Sequence, residues 1–316
     1  MAQVAVVIVN WNGAAFIERC LDAVFAQTRR PDNVVVVDNG STDDSVALVR
    51  KCYPDVHLIE QAENKGFSQS HNLGISNTTS DYVLILNTDV FLNQDFLCQA
   101  QKAIEKEAGI GSVAARIYKA DTDEIDYVGL CLQPWLKVVN SRNTTDPAFV
   151  FGGSGAALFC RREMLDDVRE GDAFFDEDFC LYWEDVDLAW RAQLRGWRCV
   201  FAPDVIAHHL GSGSQEGKVR TLDKPAFVQR HIWKNRYLVV TKNLSIGELV
   251  ALLPWLLLGE LLHWIRIAVH IPKRLPLFVM AHFDFLKLLP ATLKKRREIQ
   301  RRRRLGTRAA LRFFRF

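Results

Sequence analysis

The sequence predicts an α/β fold with a mostly parallel central sheet, on two observations. Val4–Val9, Val34–Val37 and Tyr82–Leu86 are unbroken apolar runs, the first two rich in β-branched residues, and each reads as a strand buried on both faces. Between them apolar residues return at helical spacing, as in Phe16, Cys20, Leu21, Val24 and Phe25. Alternating strands and helices imply βαβ units, and such sheets bind ligands beyond the carboxyl ends of their strands. Three of those ends carry Asn12, Asp38 and Asp89.

The elements follow in order. Asn10-Trp11-Asn12-Gly13 ends the first strand, and Asp38-Asn39-Gly40-Ser41 ends the second. Ser41 or Thr42 is placed to cap a helix with Asp43 and Asp44 in its first turn and Val46, Val49 and Cys52 on its inner face. Val56–Glu60 is a short third strand, and a polar loop at 64–68 leads to a helix at Gln69–Ser76. The fourth strand, Tyr82–Leu86, stops at Asn87-Thr88-Asp89. Residues 121–140 have mixed polarity without a clear period, 143–147 form a turn-rich break, and Gly152-Gly153-Ser154-Gly155 is flexible. Leu181–Leu194 reads as a helix closed by Gly196, Cys199–Ala202 as a last strand, and a loop continues through Lys218.

The chain has 316 residues, of which 49% are hydrophobic and 24% charged, which excludes global disorder, collagen and a disulfide miniprotein. Its seven cysteines are scattered without a CxxC pair, so neither a zinc site nor a disulfide framework is expected. The start lacks a basic n-region and runs straight into a strand pattern, unlike a signal peptide. The net charge of +3 hides an asymmetry, because residues 294–316 hold eleven Lys or Arg and one acid. A basic tail of that kind seeks polyanions, meaning nucleic acid or an anionic membrane.

From Ile246 the composition turns apolar. Leu249–Gly259 carries no charge, and Glu260, His263, Arg266 and His270 share one helical face. Pro254 and these polar residues interrupt a simple span, so an amphipathic helix in the bilayer interface is predicted, with Pro276–Leu289 repeating the theme. A helical bundle or dimer interface is the alternative.

Four acidic or imidazole motifs carry chemistry, each beside a plainer reading. Asp38 at a strand end can accept hydrogen bonds from a nucleobase imide or ribose, or simply belong to an Asn-Gly turn with a helix cap. Asp89 can hold a hard cation against a diphosphate, or close an ordinary Asn-Thr-Asp turn. In Trp183-Glu184-Asp185-Val186-Asp187, Asp185 can deprotonate a hydroxyl while Asp187 pairs with Arg191, or the acids can be a solvated helix start. His208-His209 can complete a cation's coordination, or be incidental.

The succession of these motifs is far more specific than any one of them. Asn-Trp-Asn, Asp-Asn-Gly-Ser-Thr-Asp, Asn-Lys-Gly-Phe…Asn-Leu-Gly, Asn-Thr-Asp, Glu-Asp-Val-Asp…Arg and His-Leu-Gly-Ser in this order resemble the inverting family-two glycosyltransferases, rhamnosyltransferase-like branch, over about residues 4–240. The resemblance implies a GT-A αβα sandwich. It places Val9, Trp11 and Asp38 in the nucleobase and ribose pocket, and Asn64, Gly66 and Asn72 in a loop near the donor. Asn87-Thr88-Asp89 stands as a DxD-like motif keeping only its last acid, which would hold Mg2+ or Mn2+ on the nucleotide diphosphate. Asp185 would be the general base, with Glu184 beside it, and His209, or else His208, the late metal contact. Gly153, Ser154, Gly155 and Trp183 fall on the acceptor side.

The implied organisation is a transferase domain over 1–240, a helical membrane-associated region over 241–293 and a basic tail over 294–316. The implied partners are a nucleotide-diphosphate sugar, dTDP-rhamnose or a UDP-hexose, and a saccharide acceptor that is free or linked to polyprenyl diphosphate. The apolar helices and tail point to peripheral attachment at the cytoplasmic face of an anionic membrane. Two rival readings are a polyanion- or nucleic-acid-binding protein using the Arg-rich tail and a non-catalytic scaffold of transferase shape. The first leaves the acidic constellation unexplained, and the intact Asp38, Asp89 and Asp185 argue against the second. Neither GxGxxG nor GxxxxGK[ST] follows the first strand.

Overall fold

The computed structural model describes residues 2–141, 145–211 and 224–314; Ser212, the loop predicted through Lys218 and Asn143 of the turn-rich break lie outside them. Val4–Asn10 (β1), Asn33–Asp38 (β2), His57–Glu60 (β3) and Tyr82–Asn87 (β4) run parallel, in the order β3-β2-β1-β4. Val90–Leu92 (β5), Ile110–Lys119 (β6), Ile125–Tyr127 (β7), Leu130–Leu132 (β8), Val138–Asn140 (β9), Ala148–Val150 (β10), Ala157–Arg161 (β11) and Arg198–His209 (β12) follow. The sheet continues from β4 through β11, β6 and β12 to β10, with β5 on β12 and β7 on β6. Only β11 reverses between β4 and β6, so the centre remains mostly parallel. The strand β8 pairs with β9 in a separate small hairpin.

The helices are Ile17–Phe25 (α1), Ser45–Cys52 (α2), Gly66–Ser76 (α3), Phe96–Glu105 (α4), Arg162–Val168 (α5), Glu184–Arg195 (α6), Ala226–Asn243 (α7), Ile246–His270 (α8), Leu275–Arg302 (α9) and Thr307–Ala310 (α10). The apolar strand runs divide between two cores. Val4, Val6 and Ile8 pack with α1 and α4, while Val7, Val35 and Val37 pack with Ile75, Leu165 and Leu188 on the other face. Each such side chain contributes roughly 1.5–3 kcal/mol on burial. Gly74 lets α3 sit directly on β1, since a Cβ there would lie 2.4 Å from Val7 Cγ1. The helix expected to be capped by Ser41 or Thr42 begins later, at Ser45. Asp43 instead accepts the Ala14 and Ser45 amides and ties the β1 and β2 exits together.

The predicted boundaries at 240/241 and 293/294 fall inside α7 and α9. A third core joins these helices to the sheet domain: Trp190 and Val186 of α6 pack with Leu238, Val239, Leu252, Ile299 and Phe314. The basic tail is correspondingly not a free solvated arm. Lys295 pairs with Asp176 and Asp178 at 2.5 and 2.7 Å, Arg303 with buried Glu248, and Arg302 with the Asp167 carbonyl. The helix α8 turns its polar face inward and its apolar face outward. Glu260 faces inward to Arg236 at 2.8 Å and to the Tyr237 hydroxyl, and His263 faces Phe278, while Leu257, Leu258, Leu261, Leu262 and Ile265 are exposed. The helix runs unbroken through Pro254.

A buried ion network fastens α7 to the sheet domain. Lys242, fully buried, places Nζ 2.5 Å from Asp176 and Glu170 and 2.9 Å from Asp187. Arg191 reaches Asp187 at 2.8 Å, and Asn243 donates to the other Asp187 oxygen. Burial alone would lower the Lys242 ammonium, but Asp187, Glu170 and Asp176 outweigh it and raise it. Removing one partner from such a cluster strands the others without compensation. Lys242→Met is therefore predicted to lower stability by about 3–5 kcal/mol, read by denaturant unfolding; an unchanged midpoint would show that the network holds nothing.

Candidate active site

The carboxyl ends of β1, β2 and β4 open on one cleft, as parallel topology requires. On its first wall Asp38, almost wholly buried, accepts the Asn10 side-chain amide at 2.8 Å and the Ser41 backbone amide at 2.9 Å. Asn12, with φ of 50°, accepts the Thr42 amide and donates its own to Ser41 Oγ. Val9 is half-buried below, and Trp11 stands exposed at the rim. Asn64 accepts from Asn39 and from the Gly66 amide. Gly66 has φ of 83°, and a Cβ there would meet Cys180 Sγ at 2.5 Å, so only glycine lets this loop close onto residue 180. Asn72 uses its amide differently: it accepts from Phe174 and Phe175 and donates to the Phe175 carbonyl and to Glu177. It shapes the loop behind the cleft.

The opposite wall is the start of α6. Cys180, Tyr182 and Trp183 precede it with φ of 63°, 63° and 75°, three left-handed non-glycine residues in four positions. Each costs of order 1–3 kcal/mol and persists only where its surroundings enforce it. Asn235 of α7, fully buried, enforces this one: Nδ2 lies 2.7–2.9 Å from the carbonyl oxygens of Phe179, Leu181 and Tyr182. Asp185 is then held with Oδ2 accepting the Gly155 amide at 3.1 Å and Oδ1 accepting the Val186 amide. The Gly153-Ser154-Gly155 stretch is thereby brought against the acid. Burial raises the Asp185 carboxyl, and the two backbone donors moderate that rise. Glu184, buried beside it, is pushed well up by burial and then by the Asp185 charge.

The third wall joins Asp89 to His209. The Asn87-Thr88-Asp89 turn links β4 to β5, and β5 pairs with β12 so that Val90 sits opposite His209. His209 Nε2 is 3.3 Å from Asp89 Oδ2, and Nδ1 is 2.8 Å from Asp126 Oδ2. His208 instead stacks on Tyr118, with ring centroids 5.7 Å apart. Burial pulls the His209 imidazole down, but the bonds to Asp126 and Asp89 outweigh it and raise it to about 9. Tyr127 lies between the walls: burial, then the charges of Asp126, Asp185 and Asp89, push its phenol up. Asp185 and the Asp89–Asp126 side thus both lie within electrostatic reach of Tyr127.

Residues 5–169, just over half of the chain, match the family model described as Glycosyl transferase family 2. The chain belongs to that family. A similar curated protein is the N-acetylglucosaminyl-diphospho-decaprenol L-rhamnosyltransferase of Mycobacterium tuberculosis, 26% identical over 234 residues, covering 65% of this chain and 75% of that one. Among solved structures, S. aureus TarS 1-349 aligns with a TM-score of 0.61 at 17% identity, over 98% of this chain and 87% of that one. The mannosyltransferase PcManGT of Pyrobaculum calidifontis, solved with GDP-Man and Mn2+, gives 0.55 at 18% identity over 95% and 86%. The fold is GT-A, and this family-2 protein is a glycosyltransferase.

Three residues of the transferase cleft escape a reading of the sequence. Asp126 and Tyr127 belong to a three-residue strand within a stretch where Asp121, Asp123 and Glu124 mask any pattern. Asn235 had a weak signal, since a polar Lys-Asn-Arg trio interrupts the apolar residues of α7 and asparagine is a poor helix former. Among the described residues no group of three or more His, Cys, Asp or Glu side chains forms a metal cage. Asp89 and His209 instead offer one hard oxygen and one imidazole nitrogen. Adjacent corners of an octahedral Mg2+ site with bonds of about 2.1 Å are separated by about 3 Å, close to the 3.3 Å here. The pair fits a divalent cation.

Proposed function

We propose that this transferase moves a sugar from a nucleoside-diphosphate sugar to an acceptor hydroxyl with inversion, in a single displacement across the cleft. The observation that carries it is that Asp185, held by Gly155, and Asp89, paired with His209, both act on Tyr127. Asp185 takes the proton from the acceptor hydroxyl, and the oxygen attacks the anomeric carbon from the face opposite the leaving diphosphate. Its raised carboxyl makes it a stronger base than an ordinary aspartate. The strained turn pinned by Asn235 fixes its direction, and the acceptor sits against Gly153–Gly155 and Trp183. Asp38 and Trp11 hold the nucleoside. Asp89 and His209 hold Mg2+ or Mn2+, which when bound neutralises the nucleotide diphosphate as it departs.

Asp185→Asn is predicted to cut transfer by about 10²–10⁴-fold, while nucleotide-sugar binding, read by calorimetry, stays near that of the wild type. The acid limb of the wild-type kcat/KM profile should lie above 3.8, the ordinary aspartate value, with activity rising as Asp185 loses its proton. Full turnover by Asp185→Asn would remove Asp185 from the role.

We also propose that the acceptor saccharide is carried on a polyprenyl diphosphate in cell-envelope polysaccharide assembly and that the protein rests on an anionic bilayer. Support comes from the acceptor named for the mycobacterial relative. It comes also from α8 and residues 272–302, which are long and apolar enough to cross a membrane, with best-window mean hydropathies of 1.5 and 1.3. The exposed Leu257, Leu261 and Ile265 of α8 supply the apolar contact. Exposed basic residues such as Lys273, Arg297, Arg301 and Arg308 supply the attraction to anionic headgroups. The full-length protein should co-sediment with phosphatidylglycerol vesicles, and Leu257→Asp with Leu261→Asp should lose most of that binding. Indifference of the wild type to vesicles would overturn the assignment.

A further inference from the structure

The strand β7 supplies an acid to the cleft that no motif announced. It pairs antiparallel with β6 through Ile117–Tyr127 and Tyr118–Ile125, and the register slips between Ile117 and Tyr118. Such a bulge re-aims a side chain and is frequent beside active sites. On the other edge of β6, β12 brings His209 opposite Lys119. The two edges converge so that the Asp126 carboxylate meets the His209 ring across the end of β6. Asn140 of the neighbouring hairpin donates to the Asp126 carbonyl at 2.6 Å and fixes its backbone. Both side chains are largely enclosed, with 13% and 14% of their surface exposed, as is Asp89 with 9%.

The two sides of the imidazole differ. The Nδ1 contact, at 2.8 Å, is an ordinary charge-assisted hydrogen bond. The Nε2 contact, at 3.3 Å, is longer and weaker. An imidazole whose Nδ1–H donates to a carboxylate presents its Nε2 lone pair on the far side, in a fixed direction. That direction is toward Asp89.

We propose that Asp126 is a positioning residue: it holds His209 by Nδ1 so that Nε2 and Asp89 together receive the divalent cation of the donor diphosphate. The inference rests on the reading of His209 and Asp89 as the cation's protein ligands. Asp126 itself stays outside the coordination sphere. It sets the tautomer and orientation of the ring, and Asn in its place keeps an oxygen able to accept the Nδ1 proton.

The test is Mn2+ binding, followed by the EPR signal of the free ion, on the full-length protein with dTDP and, in parallel, with UDP. Asp126→Ala should weaken Mn2+ by about 10–100-fold, while metal-free nucleotide binding stays at the wild-type level. Asp126→Asn should recover most of the affinity. Wild-type affinity in folded Asp126→Ala would overturn the proposal. So would an Asp126→Asn variant as weak as Asp126→Ala, because the acid would then be a direct ligand. A His209→Ala control separates the two levels of the argument. If it binds Mn2+ as the wild type does, the assignment of His209 fails. If it weakens Mn2+ and Asp126→Ala does not, only the positioning role fails.

Discussion

The buried contact between Lys242 and Asp187 fixes how the C-terminal helices sit against the catalytic half of the molecule. Asp187 lies two residues beyond Asp185 on α6, and Lys242 lies near the end of α7. Their pairing at 2.9 Å, with Asp176 and Glu170 on the same ammonium, sets α7 against the helix that carries the proposed base. Seven residues earlier on the same face of α7, Asn235 grips the strained turn before that helix. From α9, Lys295 reaches Asp176 of the same cluster. Buried ion clusters contribute little net stability against an apolar equivalent, but they fix geometry firmly, since every displaced partner leaves a charge unpaired. The C-terminal helices are thus part of the device that aims Asp185, besides offering an apolar outer face.

The cleft is organised by its charges. Asp89, Asp126 and Asp185 all act on Tyr127, and Glu184 stands beside Asp185. Burial and then Asp185 raise the Glu184 carboxyl, and against the pull of burial Asp126 and Asp89 raise the His209 imidazole. In the proposed reaction a divalent cation and the proton of an incoming hydroxyl would answer that excess at separate acids. The leaving group's charge and the nucleophile's proton would therefore be handled by different acids on different walls, which is what a single displacement asks for.

Much of this was legible in the sequence, for identifiable reasons. The apolar runs at β1, β2 and β4 are unambiguous because both faces are buried, and the strand ends followed from them with Asp38 and Asp89 in place. Three things were not legible. Lys242 and Lys295 look like solvent lysines, because a buried ammonium is recognised only by the acids that meet it from distant segments. The basic tail reads as a run that seeks polyanions, yet Lys295, Ile299 and Arg302 recur at helical spacing and dock on the body. Asp126 lies among other acids in a strand too short to show a period, and its direction depends on its place as the extra residue of a bulge in β7. Long-range pairing decided each case.

The stereochemistry of transfer probes the central claim most directly. The full-length protein, supplied with Mg2+, its nucleotide sugar and an acceptor, yields a product whose anomeric configuration can be read from the proton NMR coupling of the new linkage. A single displacement between Asp185 and the Asp89–His209 wall predicts a configuration opposite to that of the donor. A product that retains the donor's configuration would contradict it.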